Sequence, residues 1–287
     1  MITSTVNLTM SCISTVFSTY GGGARGYSLQ SYSSIRFYDG SYGPAEPPIN
    51  MSSFREKAAW TGGGGGTQTF TASGTFIVPT GVTSLNVELR GAMGRGIENG
   101  GFGGLVSGTL AVTSGETLII KVNYQGGESV NGDAGGGMAA IYRTTTIVVA
   151  AGGGGGSGGG PVFGGDGGSD GADNGNTSKE AGGGGGATVG EIGSGGVYSG
   201  GGTGTNGSAG ASETGGAGAP SGGANEGGGG GGGGYFGGGG GAYDDTEIAA
   251  GGGGGGSSYV ANLTGTVVNT KGGNSTIADG NVVLTWT

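Results

Sequence analysis

The 287 residues include 85 glycines, with only 32% hydrophobic and 7% aromatic residues, which allows one modest apolar core and excludes an ordinary helical or mixed globular composition. Ten Lys and Arg stand against 19 Asp and Glu, for a formal charge of −9, a balance that disfavours nucleic acid and anionic membranes as partners. The sequence has no histidine, which removes the commonest general base and metal ligand.

In chain order, residues 1–61 hold much of the Ser, Tyr and Phe and a proline cluster at Pro44, Pro47 and Pro48. A segment of this size has too small a core to stand comfortably alone, so it reads as an N-terminal attachment and assembly module. Its lone Cys12 reads as a small buried hydrophobe and not as half of a disulfide. The opening MITSTVNLTMSC lacks a basic stretch followed by an apolar one, so no signal peptide is expected; no run approaches the ~20 apolar residues of a membrane span, so no membrane insertion is expected. Gly62–Gly66 reads as a glycine hinge.

Residues 67–150 alternate Val, Ile, Thr, Phe and Tyr with polar positions between Gly, Pro and Ser turns, the pattern of about six short strands. Residues 257–287 return to the same style and contain two or three more strands, one of them carrying Trp286. Strands on both flanks predict a mainly β fold, an antiparallel sandwich of 67–150 with 257–287, interrupted by an insertion over 151–256.

The insertion is about half glycine. A Gly/Ser linker would need no apolar pairs, yet Val162-Phe163, Val197-Tyr198 and Tyr235-Phe236 punctuate it. Ordering glycine costs more backbone entropy than ordering any other residue, so the compensation must be one that only glycine permits. Extended three-residue-per-turn helices packed backbone to backbone, with Cα–H···O contacts of about 0.5–1 kcal/mol each, supply it. Gly227–Gly234 and Gly251–Gly256 are long enough to be core members of such a polyglycine bundle. Collagen is excluded, since there is no strict Gly-X-Y period and only 6 prolines.

The run TFTASGTFIVPTGVTSLNVELRGA, then TTTIVVAAGGGGGSGGG and the closing GNVVLTW, resembles the glycine-rich domains of phage tail proteins and of the anaplastic lymphoma kinase receptor ectodomain. The resemblance implies a jelly-roll or tumour-necrosis-factor-like sandwich with polyglycine helices in its insertion. TEIAAGGGGGGSSYV repeats the same strand-into-glycine pattern. The chain lacks the receptor's cysteines and kinase context, so signalling does not carry over. In style the glycine zone is similar to the polyglycine-helix adhesins that cap phage tail fibres. PPINMSSFREKAA resembles a short segment of tail and fibre proteins, matched here by Ile49, Met51, Ser52 and Phe54.

Catalytic and cofactor chemistry is poorly provided for. G-x-G-x-x-G matches many times in a glycine-saturated tract, without the GK[ST] or helix that gives the motif meaning. Asp166, Asp170 and Asp173 resemble part of a calcium-binding nonapeptide repeat, but the repeat does not recur, and a solvated acidic loop is favoured. No spacing rule places Glu88, Glu98 and Glu116 as a glycosidase pair. The sequence therefore predicts a non-enzyme without cofactor or metal. Tyr198, Tyr243, Asp244, Asp245, Asp170 and Glu213 are the candidate receptor contacts on loops at the ends of the bundle. Phe163 and Phe236 are expected to plug the insertion onto the sandwich. Ile49, Met51 and Phe54 are expected to bury against another chain. The reading that joins these is a virion tail protein, tail fibre or tail tip, assembled in the host cytoplasm. It would be a homo-oligomer, joined to other tail proteins through residues 1–61 and recognising a bacterial surface glycan or outer-membrane protein. The alternatives are a decorating virion part without a receptor, or a cell-surface adhesion module.

Overall fold

The computed structural model describes residues 65–96, 100–159, 162–168, 184–188, 190–199, 203–221, 227–245, 249–275 and 278–287. The described residues of Gly65–Val78 and Val82–Thr287 form one compact unit; residues 1–64 lie outside the described set. Cys12, Ile49, Met51 and Phe54 therefore lie outside the described residues, as does Asp170.

The fold is mainly β. Among the described residues seven strands precede the long glycine tract: β1 (Gly66–Phe70), β2 (Gly74–Ile77), β3 (Ser84–Arg90), β4 (Gly103–Ala111), β5 (Thr117–Tyr124), β6 (Met138–Arg143) and β7 (Thr146–Ala151). Five short ones lie within it: β8 (Gly204–Thr205), β9 (Ser212–Glu213), β10 (Gly234–Phe236), β11 (Tyr243–Asp244) and β12 (Ala249–Ala250). Two follow, β13 (Leu263–Asn274) and β14 (Asn281–Trp286). The two large sheets are antiparallel, with orders β1-β14-β3-β4-β13 and β2-β5-β6-β7. The five-stranded sheet thus takes strands from both flanks of the tract, and β14, the last in sequence, lies between β1 and β3.

Period-two alternation fixes which side chains go inside. Leu85, Val87 and Leu89 of β3, Val282 and Leu284 of β14, and Val106 and Leu110 of β4 join Leu118 and Ile120 of β5, Ile141 of β6 and Val149 of β7 in one buried cluster. Gly66, expected in a hinge, is instead the first residue of β1, opposite Trp286. A Cβ there would lie 2.4 Å from Trp286 Cζ2, so glycine is what admits the indole, which also packs against Phe76 with ring centroids 5.4 Å apart.

β6 and β7 do not alternate. Met138–Tyr142 and Ile147–Ala151 are buried on both faces, as expected of a sheet covered on both sides. The second face, Met138, Ala140, Tyr142, Ile147 and Ala150, packs against Tyr124, Tyr235 and Tyr259. The alanines let the chain come close enough for Ala150 and Tyr259 to exchange backbone hydrogen bonds of 2.9 and 2.8 Å.

The glycine segments bond laterally to one another at every third residue. Gly229 and Gly232 N–H donate to the Gly251 and Gly254 carbonyls, a parallel pairing; Gly253 and Gly256 donate to Gly156 and Gly153, an antiparallel one. Gly251 and Gly254 donate to Ala242 and Gly239. In turn, residues 251–256 accept from Gly165 and Gly168, and from Gly184 and Ala187. The segment 251–256 is therefore bonded on all sides, to 229–232, 153–156, 239–242, 165–168 and 184–187. All six of its carbonyls accept, and the N–H groups of Gly251, Gly253, Gly254 and Gly256 donate, without the segment belonging to a sheet.

The network also reaches outside 151–256. Gly101 and Gly104 donate to Gly155 and Gly152, Gly136 donates to Gly154, and Gly230 and Gly233 donate to Asp133 and Gly136. Residues 91–96, 100–104 and 126–137, which the sequence places within the strand region 67–150, thus belong in part to the glycine network.

Candidate functional site

The short strands of the tract bring several of the expected contact residues together. β11 lies between β12 and β8, with Tyr243 opposite Thr205 and Asp244 opposite Gly204. Beyond it, Asp245 N–H donates to the Thr203 carbonyl at 2.9 Å. Tyr198 N–H donates to Asn206 Oδ1 at 2.7 Å, and its ring lies over Gly204, where a Cβ would fall 2.4 Å from Cδ2. Tyr198, Tyr243, Asp244 and Asp245 thus gather around residues 203–206. The site depends on glycine at 204, because any side chain there would displace the Tyr198 ring.

Two of these residues are not where a contact surface needs them. Tyr243 and Asp244 are 3% and 0% exposed, Tyr243 packed with Ala219 and Ala250. They were expected on an exposed loop. They sit instead in the central strand of a small sheet, whose alanine and glycine neighbours let backbone close over them. Asp245 is exposed and Tyr198 half-buried, beside the exposed Val197.

Glu213 belongs elsewhere. Residues 207 and 210 bond to 196 and 193 in antiparallel sense, so Glu213 and Tyr198 lie at opposite ends of this pair of segments. Glu213 has a φ of 68°, and its Oε2 accepts from the Tyr142 hydroxyl at 2.9 Å. Burial, then this hydrogen bond and the carboxylate charge, push the Tyr142 phenol above its ordinary value. Glu213 is therefore a link between the glycine tract and β6.

Of the two expected plugs, Phe163 is 61% exposed. The neighbouring 164–168 is held by backbone bonds, Gly155 to Gly165 and Gly165 to Gly253, and needs no aromatic anchor. Phe236 is half-buried, and its N–H donates to Ser257 Oγ. The larger anchor is Tyr235, which the sequence singles out only as half of an apolar pair with Phe236. It stacks on Tyr259 at 4.3 Å with a 14° interplanar angle, over the buried face of β6, and meets Phe236 edge-on. Tyr259 lies just past the last glycine run, and an aromatic on each side of the tract was the available signal.

No protein-family model and no curated protein matches the chain.

The arrangement around 203–206 offers an aromatic face, a phenol, an exposed carboxylate and a nearby apolar side chain, a set suited to surface contact. Among the described residues no group of three His, Cys, Asp or Glu side chains is placed to hold a metal ion. Among the described residues there is no helix long and apolar enough to cross a membrane.

Proposed function

We propose that the chain is a virion structural protein of a phage tail, a fibre or tip component acting as a host-recognition adhesin. In this reading 67–150 and 257–287 form a jelly-roll or tumour-necrosis-factor-like β-sandwich, and the glycine segments are polyglycine helices bundled against it. Bonds that recur at every third residue, in both parallel and antiparallel sense, support the bundle, because three residues per turn is the period of that helix. The observation that carries the functional reading is the loop site around 203–206, held between backbone-bonded glycine segments. A contact loop on a stiff base binds without first having to order itself.

The protein is a binding part and not an enzyme, joined to the particle through residues 1–61 by Ile49, Met51 and Phe54, and working as a homo-oligomer in the virion. Residues 196–206 and Asp245 carry the host contact. Labelled antibody against the glycine tract should decorate the distal end of the tail, and the purified full chain should compete with particles for adsorption to the host. Labelling confined to the tail wall, with no competition, would replace the adhesin by a decorating part.

A further inference from the structure

The outward face of the five-stranded sheet holds an open groove of about 480 Å³, within the range of small-ligand sites. Its floor is set by strand register. One row runs Thr285, Asn86, Thr109 across β14, β3 and β4, and the next runs Val283, Glu88, Ser107. Strands about 4.8 Å apart, with same-face residues about 7 Å apart along each strand, make this a patch of roughly 10 by 7 Å, the footprint of one or two sugar rings.

One wall is built by an irregularity. Between Thr264 and Val268, β13 carries four residue steps where β4 has two, from Thr109 to Ser107. The extra residues, starting at Gly265 with a φ of 74°, place Thr266 along the groove. Bulges of this kind commonly re-aim a side chain beside a functional surface.

The polar groups are preset. Thr109 Oγ1 donates to Asn86 Oδ1 at 3.1 Å, which fixes the amide with its N–H₂ unspent. Arg90 engages Glu88 through Oε1 alone, at 3.0 Å. Among the described residues the Asn86 amide nitrogen, Glu88 Oε2, Ser107 Oγ and Thr266 Oγ1 have no hydrogen-bond partner. They alternate donor, acceptor and hydroxyl, and Val283 stands among them as the apolar spot.

We infer that this groove binds a neutral saccharide. A sugar presents hydroxyls that both donate and accept, beside apolar C–H patches, and the groove offers the complement of both. The Glu88–Arg90 pair leaves no net charge to draw a polyanion, and the chain's overall charge of −9 opposes one. An extended peptide adds to a strand edge through backbone bonds, whereas β14, β3 and β4 are all interior strands.

The inference rests on the adhesin reading for its biological setting, and binding is read on pure saccharides, so either can fail alone. The full chain would be titrated by NMR with neutral glucan, mannan, galactan and N-acetylglucosamine oligomers, and with polygalacturonate as the anionic comparison. The expected result is binding of at least one neutral oligomer, with amide shifts at Asn86, Ser107 and Thr109. Asn86→Ala or Ser107→Ala should weaken that binding about tenfold, as loss of a hydrogen bond does. Both replace outward side chains, and a melting curve keeps the two effects separate. Should Asn86→Ala unfold the chain, Ser107→Ala and Thr266→Ala carry the test. Absence of binding to every neutral oligomer, preference for polygalacturonate, shifts confined to Tyr198 and its neighbours, or affinity unchanged in the folded variants would each overturn the inference.

Discussion

At the scale of single residues, the glycines do by omission what side chains do elsewhere. A Cβ on Gly230 would stand 2.2 Å from the Gly127 carbonyl oxygen, and one on Gly253 would stand 2.1 Å from that of Gly230. The hydrogen in that place points at the oxygen, so each such glycine makes a Cα–H···O contact that alanine would turn into a clash with backbone. Gly230→Ala is expected to cost about 3 kcal/mol, since a clash with bonded backbone has nowhere to relax. Gly190→Ala, where a Cβ would meet nothing within 4 Å, should leave stability level or raise it by up to about 1 kcal/mol. Urea melts of the two variants decide this, and equal effects would mean that the glycines are not packed. Tyr142 makes the second residue-scale case. Its pKa is raised in the folded chain, first by burial and then by Glu213, so the folded state holds the phenolic proton more tightly than the unfolded one. The resulting stability is complete below the unfolded value of about 10 and falls as pH rises beyond it. Tyr142→Phe should cost about 1 kcal/mol at neutral pH, for the lost hydrogen bond to Glu213, and should flatten the alkaline decline. Melting temperatures of both proteins across the alkaline range check the sign; parallel declines would refute it.

At the scale of elements, the tyrosine stack joins two kinds of structure that share little else. Tyr235 and Tyr259 sit where the glycine segments meet the second face of β6 and β7. Tyr235→Ala should cost about 2 kcal/mol, less than a fully buried aromatic because the ring is half-buried. The loss should show in amide exchange of Met138–Tyr142 as well as in the melt; a change confined to residues 234–236 would mean that the stack is ornamental to the interface. The strands were legible because β3, β5 and β14 alternate cleanly, and alternation is the signature of a sheet with one buried face. The double burial of β6 was written as the unalternating MAAIY, but nothing local says whether glycine or a second sheet covers it. Tyr243 and Asp244 were misread for a related reason. Beside polar residues, a tyrosine and an aspartate look solvent-facing, and the pairing of β11 with β8 that buries them spans some 38 residues of chain, from 205 to 243. The groove on the five-stranded sheet was invisible in the sequence, because it depends on the register of β14 against β3 and on a bulge in β13.

At the scale of the whole molecule, the described unit couples an ordinary hydrophobic core to a region with almost no side chains to bury. The first draws its stability from the removal of apolar surface from water. The second has backbone hydrogen bonds and close Cα–H···O contacts in its place, and these are short-range and cooperative. A segment such as 251–256, bonded to five neighbours, cannot lose one contact without weakening several. The two regions also share backbone bonds, since Gly104 at the start of β4 and Gly152 just after β7 belong to both. They should therefore open together and not as a stable pair of sheets trailing a loose tract. Hydrogen exchange gives the direct measurement. Amides of 229–233 and 251–256 are expected to exchange at rates close to those of Leu118–Ile120 in the core, both limited by global unfolding. Glycine amides that exchange as in a free coil would reduce 151–256 to a linker. The stiff base proposed under the 203–206 loops would then be lost, while the core and its groove could persist.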